Sequence, residues 1–254
     1  MANGKLLIGT TGFSYQDWLG NFYPQFCPQA DFLKYYSHCF NTVEIDSTFY
    51  RIPSEKTVAG WSNVTPDNFI FSAKFPHTVT HEGTIIQRVE QAKYFMEVMK
   101  NLGSKLGVLL LQFPYGFKPD QYETLVSLIN TVKGDIKIAV ELRNRKWLDN
   151  KDIFKILSDN NVALCQIDHP WMPRISQFTA DFSYFRFLGD RKKIEDDFTY
   201  IRNDRIQELT EWKEIIKESL DTGRDTITYF NNHYSGHAPT TAMKFEEIIT
   251  AGNL

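Results

Sequence analysis

A chain of 254 residues with 42% hydrophobic and 23% charged side chains can bury a sizeable core, which argues against a disordered protein. Its net charge of −3 argues against a broad basic face for non-specific nucleic-acid binding. Three cysteines without CxxC or Cys/His spacing argue against a disulfide framework or structural zinc, and no apolar run reaches the ~18 residues of a membrane span. With no leader pattern legible, a cytoplasmic setting is the expectation.

Short apolar runs that end in a polar or charged residue punctuate the chain. A first strand is expected at 6–10, followed by a loop over 11–28 rich in glycine and aromatics. Loops that long in compact domains are often functional. A helix over 29–40 leads to a strand at 42–46, a loop, and a helix that Ser54 starts as N-cap and that reaches residue 63. Next come a strand at 69–74 ended by Pro76, and a helix from 84 to 101 stopped by Gly103. A strand at 107–112 is ended by Pro114, and a helix over 119–132 carries proline in its first turn. A strand at 137–143 and a helix near 150–160 precede a strand at 163–168. The stretch 169–179 contains Pro170 and Pro173 and cannot form a regular long helix. A strand at 182–187, a charged loop, a helix over 204–220, a strand at 226–230, a loop to Pro239 and a closing helix complete the order.

Eight strands alternating with helices predict one α/β domain over 1–254, a TIM (β/α)8 barrel with an irregular sixth helical unit. Such barrels keep their working groups at the C-terminal ends of the strands. Side chains alternate faces along a strand, so Glu44 shares a face with Asp46, Ser72 with Lys74, and Leu110 with Gln112. Likewise Glu141 goes with Arg143, Gln166 with Asp168, and Tyr184 with Arg186. With apolar members facing the helices, these polar sets face the barrel axis, and Cys165 faces the helices. Charges of both signs then converge: Glu44, Asp46, Glu141 and Asp168 against Lys74, Arg143 and Arg186, joined by Arg51 from a loop. Two readings stay open, an internal ion-pair network that plugs the mouth and a polar ligand pocket.

Glu141 beside Arg143 reads either as an acid/base group or as a plain ion pair. Asp168 followed by His169 is the best hint of a metal, yet no HxH or HExxH spacing occurs, and neither metal nor cofactor is expected. Gly9-Thr-Thr-Gly12 offers backbone N–H groups to an anion. Tyr15, Trp18, Phe49, Tyr50 and Trp147 offer aromatic faces to a base or sugar. Asn231, Asn232, His233 and His237 form a dense polar cluster after the last strand.

The segments IGTTGFSYQDWLGNFYP, FNTVEIDSTFYRIPSEKTVAGW, FSAKFPHTVTH, LGVLLLQFPYGF, IAVELRNRKW and YFNNHYSGHAP resemble, in order, the motifs of the domain-of-unknown-function 72 (YecE-like) family. The resemblance spans essentially the whole chain and implies a TIM barrel without an assigned activity. Matched position by position, it implies that the family's strand-end residues are Thr10, Gly12, Glu44, Lys74, Gln112, Glu141, Arg143, Asn231, Asn232 and His237. Thr11 and Phe13 depart from the family's GTSGW start.

The expected function is that of a hydrolase-like enzyme acting on a small phosphorylated or sugar/nucleotide-type ligand, with the reaction itself open. Glu44, Glu141 and Asp168 are the catalytic candidates. Thr10, Gly12, Tyr15, Asp46, Arg51, Lys74, Gln112, Arg143, Arg186, Asn231, Asn232 and His237 are the candidates for binding. The alternative is a non-catalytic binding module, with nucleic acid as one partner; a membrane partner is not expected.

Overall fold

The computed structural model describes residues 4–251; the expected domain range of 1–254 also includes 1–3 and 252–254, which lie outside the described residues. The strands are β1 (Leu6–Thr10), β2 (Thr42–Ile45), β3 (Ile70–Lys74), β4 (Leu106–Gln112), β5 (Lys137–Glu141), β6 (Ala163–Leu164), β7 (Gln166–Asp168), β8 (Phe182–Phe187) and β9 (Asp225–Phe230). Between them run α1 (Phe32–Cys39), α2 (Glu55–Asn63), α3 (His77–Thr80), α4 (Ile85–Met99), α5 (Tyr122–Val132), α6 (Lys151–Asp159), α7 (Ile206–Asp221), α8 (Asn232–Ser235) and α9 (Ala238–Thr250). No helix among the described residues is long and apolar enough to cross a membrane.

All pairings are parallel, in two runs ordered β2-β3-β4-β5-β6 and β1-β9-β8-β7. β6 and β7 are two halves of one barrel strand, parted at Cys165, whose amide still donates to the Val140 carbonyl at 2.8 Å. At the other seam β1 reaches β2 through a bridge between Thr11 and Glu44, and the Gly12 amide donates to the Glu44 carbonyl at 2.8 Å. The two runs therefore meet at both ends, and the chain folds as a TIM barrel.

The alternation of side chains builds two cores. Val43, Ile45, Phe71, Ala73, Leu109, Leu111 and Val140 face the helices. Leu7, Val108, Leu110, Ala139, Phe182 and Ile227 fill the axis, with Tyr184 and Tyr229 among them. The Tyr229 hydroxyl donates to Ser72 Oγ at 2.9 Å, so the axis turns polar as it approaches the C-terminal end of the strands. Local signals set the helix starts. Ser54 Oγ accepts from the Thr57 amide, and Thr84 with Gln87 forms a capping box at α4. The long first loop is packed rather than loose: Trp18 and Tyr23 are buried, and Tyr23 stacks on Phe32 at 4.1 Å.

Two expectations are corrected. The loop to Pro239 contains the helical turn α8. In the sixth strand the faces are reversed: Ala163, Cys165 and Ile167 point to the axis, Leu164 points outward, and Gln166 and Asp168 follow it. The reason lies outside the barrel, where 169–179 lays irregular chain instead of an apolar helix against this strand. Most polar groups find partners there, although Gln166 Oε1 is buried without one. Gln166 Nε2 donates to the Gln177 carbonyl, and Asp168 Oδ2 accepts from Trp212 Nε1 at 2.8 Å and from the Tyr234 hydroxyl at 2.9 Å.

Gly9 sets how closely β1 approaches β2, because a Cβ there would lie 2.1 Å from the Thr42 carbonyl oxygen. Gly9→Ala is expected to destabilise the fold by at least ~1–3 kcal/mol, the usual cost of overpacking. A urea midpoint equal to that of the parent protein would show that the seam tolerates the extra carbon.

Candidate functional site

At the C-terminal end of the barrel, Gly12, Tyr15, Asp46, Lys74, Gln112, Arg143, Arg186, Asn231 and Asn232 line one cleft of about 890 Å³. Pockets for small ligands typically measure about 300–1,000 Å³. The other sequence candidates lie elsewhere. Thr10 faces α1, its Oγ1 against the Tyr36 hydroxyl at 2.9 Å, and Arg51 is exposed outside the cleft. Asp168 is outside the barrel wall, and Glu44, Glu141 and His237 are buried rather than lining the cleft.

Glu44 and Glu141 are fully buried under the cleft floor with Arg186 between them. Arg186 donates to Glu44 Oε1 through Nε at 3.1 Å and Nη2 at 2.7 Å, and to Glu141 Oε2 through Nη1. The remaining oxygens are also engaged: Glu44 Oε2 accepts from the Tyr184 hydroxyl at 2.6 Å, and Glu141 Oε1 from Arg143 Nε at 2.6 Å. Burial pushes the Glu44 carboxyl upward, against the pull of Arg186. Burial would push Glu141 up as well, but Arg186, Arg143 and Lys74 outweigh it and hold that carboxyl at about 2. Burial alone would lower the Arg186 guanidinium; Glu141 and Glu44 reverse the effect and keep it charged.

Above this floor the groups are less committed. Among the described residues only Nε of Arg143 is hydrogen-bonded to protein, which leaves its terminal nitrogens for the cleft. Lys74 Nζ lies 3.5 Å from Asp46 Oδ1 and 3.9 Å from the centre of the Phe49 ring. Gln112 donates through Nε2 to the Phe113 carbonyl, and its Oε1 accepts no hydrogen bond among the described residues. Asn232 Oδ1 accepts from Trp18 Nε1 and the Ala238 amide, while its buried Nδ2 has no partner. His237 Nδ1 accepts from the Thr240 amide, which places the proton on Nε2, also buried without a partner.

Sequence reasoning did not single out His81, Trp61, Arg191, Glu195 or Phe198, all of which line the cleft. Burial, then Lys74 and Arg143, lowers His81 to about 4, so it is a neutral imidazole at pH 7. The only sequence signal for it was its place in the turns after a strand end. Phe49 and Tyr50 present aromatic surface as expected, whereas Trp18 and Trp147 are buried in the core. The anion cradle expected at Gly9–Gly12 is absent. The amides of Thr10, Thr11 and Gly12 donate to the Tyr36 hydroxyl, the Phe230 carbonyl and the Glu44 carbonyl. Gly12, at φ 80°, serves instead to turn the chain beneath Tyr15. Among the described residues no three His, Cys, Asp or Glu side chains gather as a metal site would require.

The chain matches, over residues 7–253, the family model described as "Protein of unknown function DUF72". It is similar to the UPF0759 protein YunF of Bacillus subtilis, at 27% identity over 96% of this chain and 94% of YunF. It is similar as well to the UPF0759 protein YecE of Escherichia coli, at 25% identity over 71% of this chain and 74% of YecE. Among solved structures, a DUF72 family protein of Thermotoga maritima superposes with a TM-score of 0.78 at 28% identity, covering 97% of this chain and 99% of that one.

Arg186→Met would leave Glu44 and Glu141 buried with too few cations, and a loss of ~3–5 kcal/mol of stability is expected in chemical denaturation. A loss below ~1 kcal/mol would show that the floor does not depend on this guanidinium. Glu141 binds its proton less readily folded than unfolded. Its contribution to stability is therefore complete above its ordinary value of 4.5 and declines as pH falls toward about 2. Urea midpoints measured across that range should fall for the parent protein and fall less for Glu141→Gln.

Proposed function

The chain belongs to the DUF72 family, whose description assigns no activity, and from the geometry of its cleft we propose that it is an enzyme acting on a small anionic, hydroxyl-bearing molecule of the phosphorylated-sugar or nucleotide type. The observation that carries the reading is Arg143. Its Nε is fixed by a buried carboxylate while its terminal nitrogens are left to the cleft, the geometry of a preoriented anion anchor. Lys74 adds a second cationic donor, Asp46 and Gln112 add acceptors for hydroxyl groups, and Phe49 and Tyr50 add flat apolar surface.

Glu44 and Glu141, expected to be catalytic, serve in this reading to position Arg186 and Arg143, because every one of their oxygens is already bonded. Asp168 is left out because Trp212 and Tyr234 hold it outside the wall. Acid–base work falls to Asp46 and to the neutral His81, which share the cleft. A carboxylate and a neutral imidazole can each accept a proton from water, which is what a hydrolase-like reaction requires. The cleft volume fits a small molecule, which favours this reading over a nucleic-acid module.

Calorimetric titration with inorganic phosphate and ribose 5-phosphate tests the proposal. Arg143→Met is expected to weaken binding of both at least tenfold, with the circular dichroism spectrum unchanged. Equal affinity in that variant removes Arg143 as the anchor and the reading with it.

A further inference from the structure

Two lysines of this barrel are almost equally buried and are treated in opposite ways. Lys105, 7% exposed, gives its ammonium to the Ser62 carbonyl at 2.6 Å, the Thr65 carbonyl at 2.8 Å and Thr65 Oγ1 at 3.3 Å. Those three acceptors match the three protons of a permanent cation. Lys74, 6% exposed, makes no such hydrogen bond among the described residues. Its Nζ has Asp46 at 3.5 Å, a phenyl ring at 3.9 Å and the open cleft on its remaining side.

We propose that Lys74 is a nucleophilic amine that forms an imine with an aldehyde or ketone carrying a phosphate or carboxylate. The inference rests on the anionic-ligand reading of the cleft and gives that ligand its reactive group; a phosphorylated sugar in its open-chain form is one such molecule. An amine becomes a nucleophile when it is desolvated and set beside other cations. Lys74 meets both conditions at the end of β3. Arg186 approaches from β8 and Arg143 from the end of β5, His81 faces it from beyond α3, and Asp46 and Glu141 are the opposing charges. Burial is the largest influence on the amine and lowers its pKa; Asp46 opposes, and Arg186 adds to the lowering.

The chemistry balances without an oxidant or reductant. The nitrogen lone pair attacks the carbonyl carbon, and the carbonyl π pair moves to oxygen, which takes up a proton. The nitrogen loses a proton to Asp46 or His81, giving a carbinolamine. The hydroxyl leaves with a further proton as water while the nitrogen lone pair forms the C=N bond. Arg143 holds the anionic group through these steps.

Reductive trapping on the whole protein tests the proposal. Glyoxylate with cyanoborohydride converts each imine into a stable carboxymethyl-lysine, which peptide mass spectrometry locates. Lys74 is expected to be modified at least tenfold faster near neutral pH than the exposed Lys56 and Lys118, and its rate should rise at lower pH than theirs. Inorganic phosphate should protect it, and Arg143→Met should slow its reaction with glyoxylate but not with the uncharged acetaldehyde. Phosphate binding without preferential modification of Lys74 overturns the imine alone. Fast modification by both aldehydes, with no advantage to glyoxylate and no protection, overturns the anionic substrate and the reading of the cleft together.

Discussion

Burying Glu44 and Glu141 beside the barrel axis is unfavourable unless one cation meets both, and Arg186 does so from the opposite strand with all of its bonding nitrogens turned inward. The consequences spread outward from that contact. Glu141, kept ionised, has its second oxygen available to fix Arg143 Nε. Glu44, through its second oxygen, draws in the Tyr184 hydroxyl and so ties the charged layer to the tyrosines beneath it. The cleft floor is therefore cross-linked by ion pairs and hydrogen bonds, and Arg143 above it inherits a defined position.

That arrangement divides the labour between two depths. Deep carboxylates are already bonded at every oxygen, which in the proposed reading leaves them to position Arg186 and Arg143. Shallow groups such as Asp46, Lys74 and His81 line the cleft and have bonding capacity left over, which is why the proposed chemistry is assigned to them. A buried ion-pair network and a functional pocket were separate readings of the same residues. In the folded chain the network is the floor of the cleft, and the ligand pocket proposed above rests on it.

The strand order, the cap at Ser54 and the missing sixth helix were legible because each rests on local chemistry. Face assignment was legible wherever the outer face packs on a helix, as for Glu44 and Val43 in β2 or Tyr184 and Phe185 in β8. It failed for Cys165 and Asp168, because the outer side of this strand meets polar partners, the Gln177 carbonyl, the Trp212 indole and the Tyr234 hydroxyl, that are distant in sequence. Depth was not legible at all: alternation puts Glu44 and Asp46 on one face but cannot say that the first is sealed and the second reaches the cleft. The amides of Thr10–Gly12 looked free because their acceptors, Tyr36, Phe230 and Glu44, are distant in sequence. His81 was missed for the same reason, its neighbours Lys74 and Phe49 being brought to it by the barrel.

The sixth wall differs from its neighbours in the kind of force that holds it. Elsewhere a strand is pressed to its helix by apolar contact, which keeps its strength as temperature rises. β7 is clasped instead by one carboxylate that accepts from an indole on α7 and a phenol on α8. Polar clasps of this sort lack the heat-capacity signature of apolar burial. Asp168 thus ties β7 to α7 and α8 at once, through a single carboxylate placed next to the cleft rim at His169.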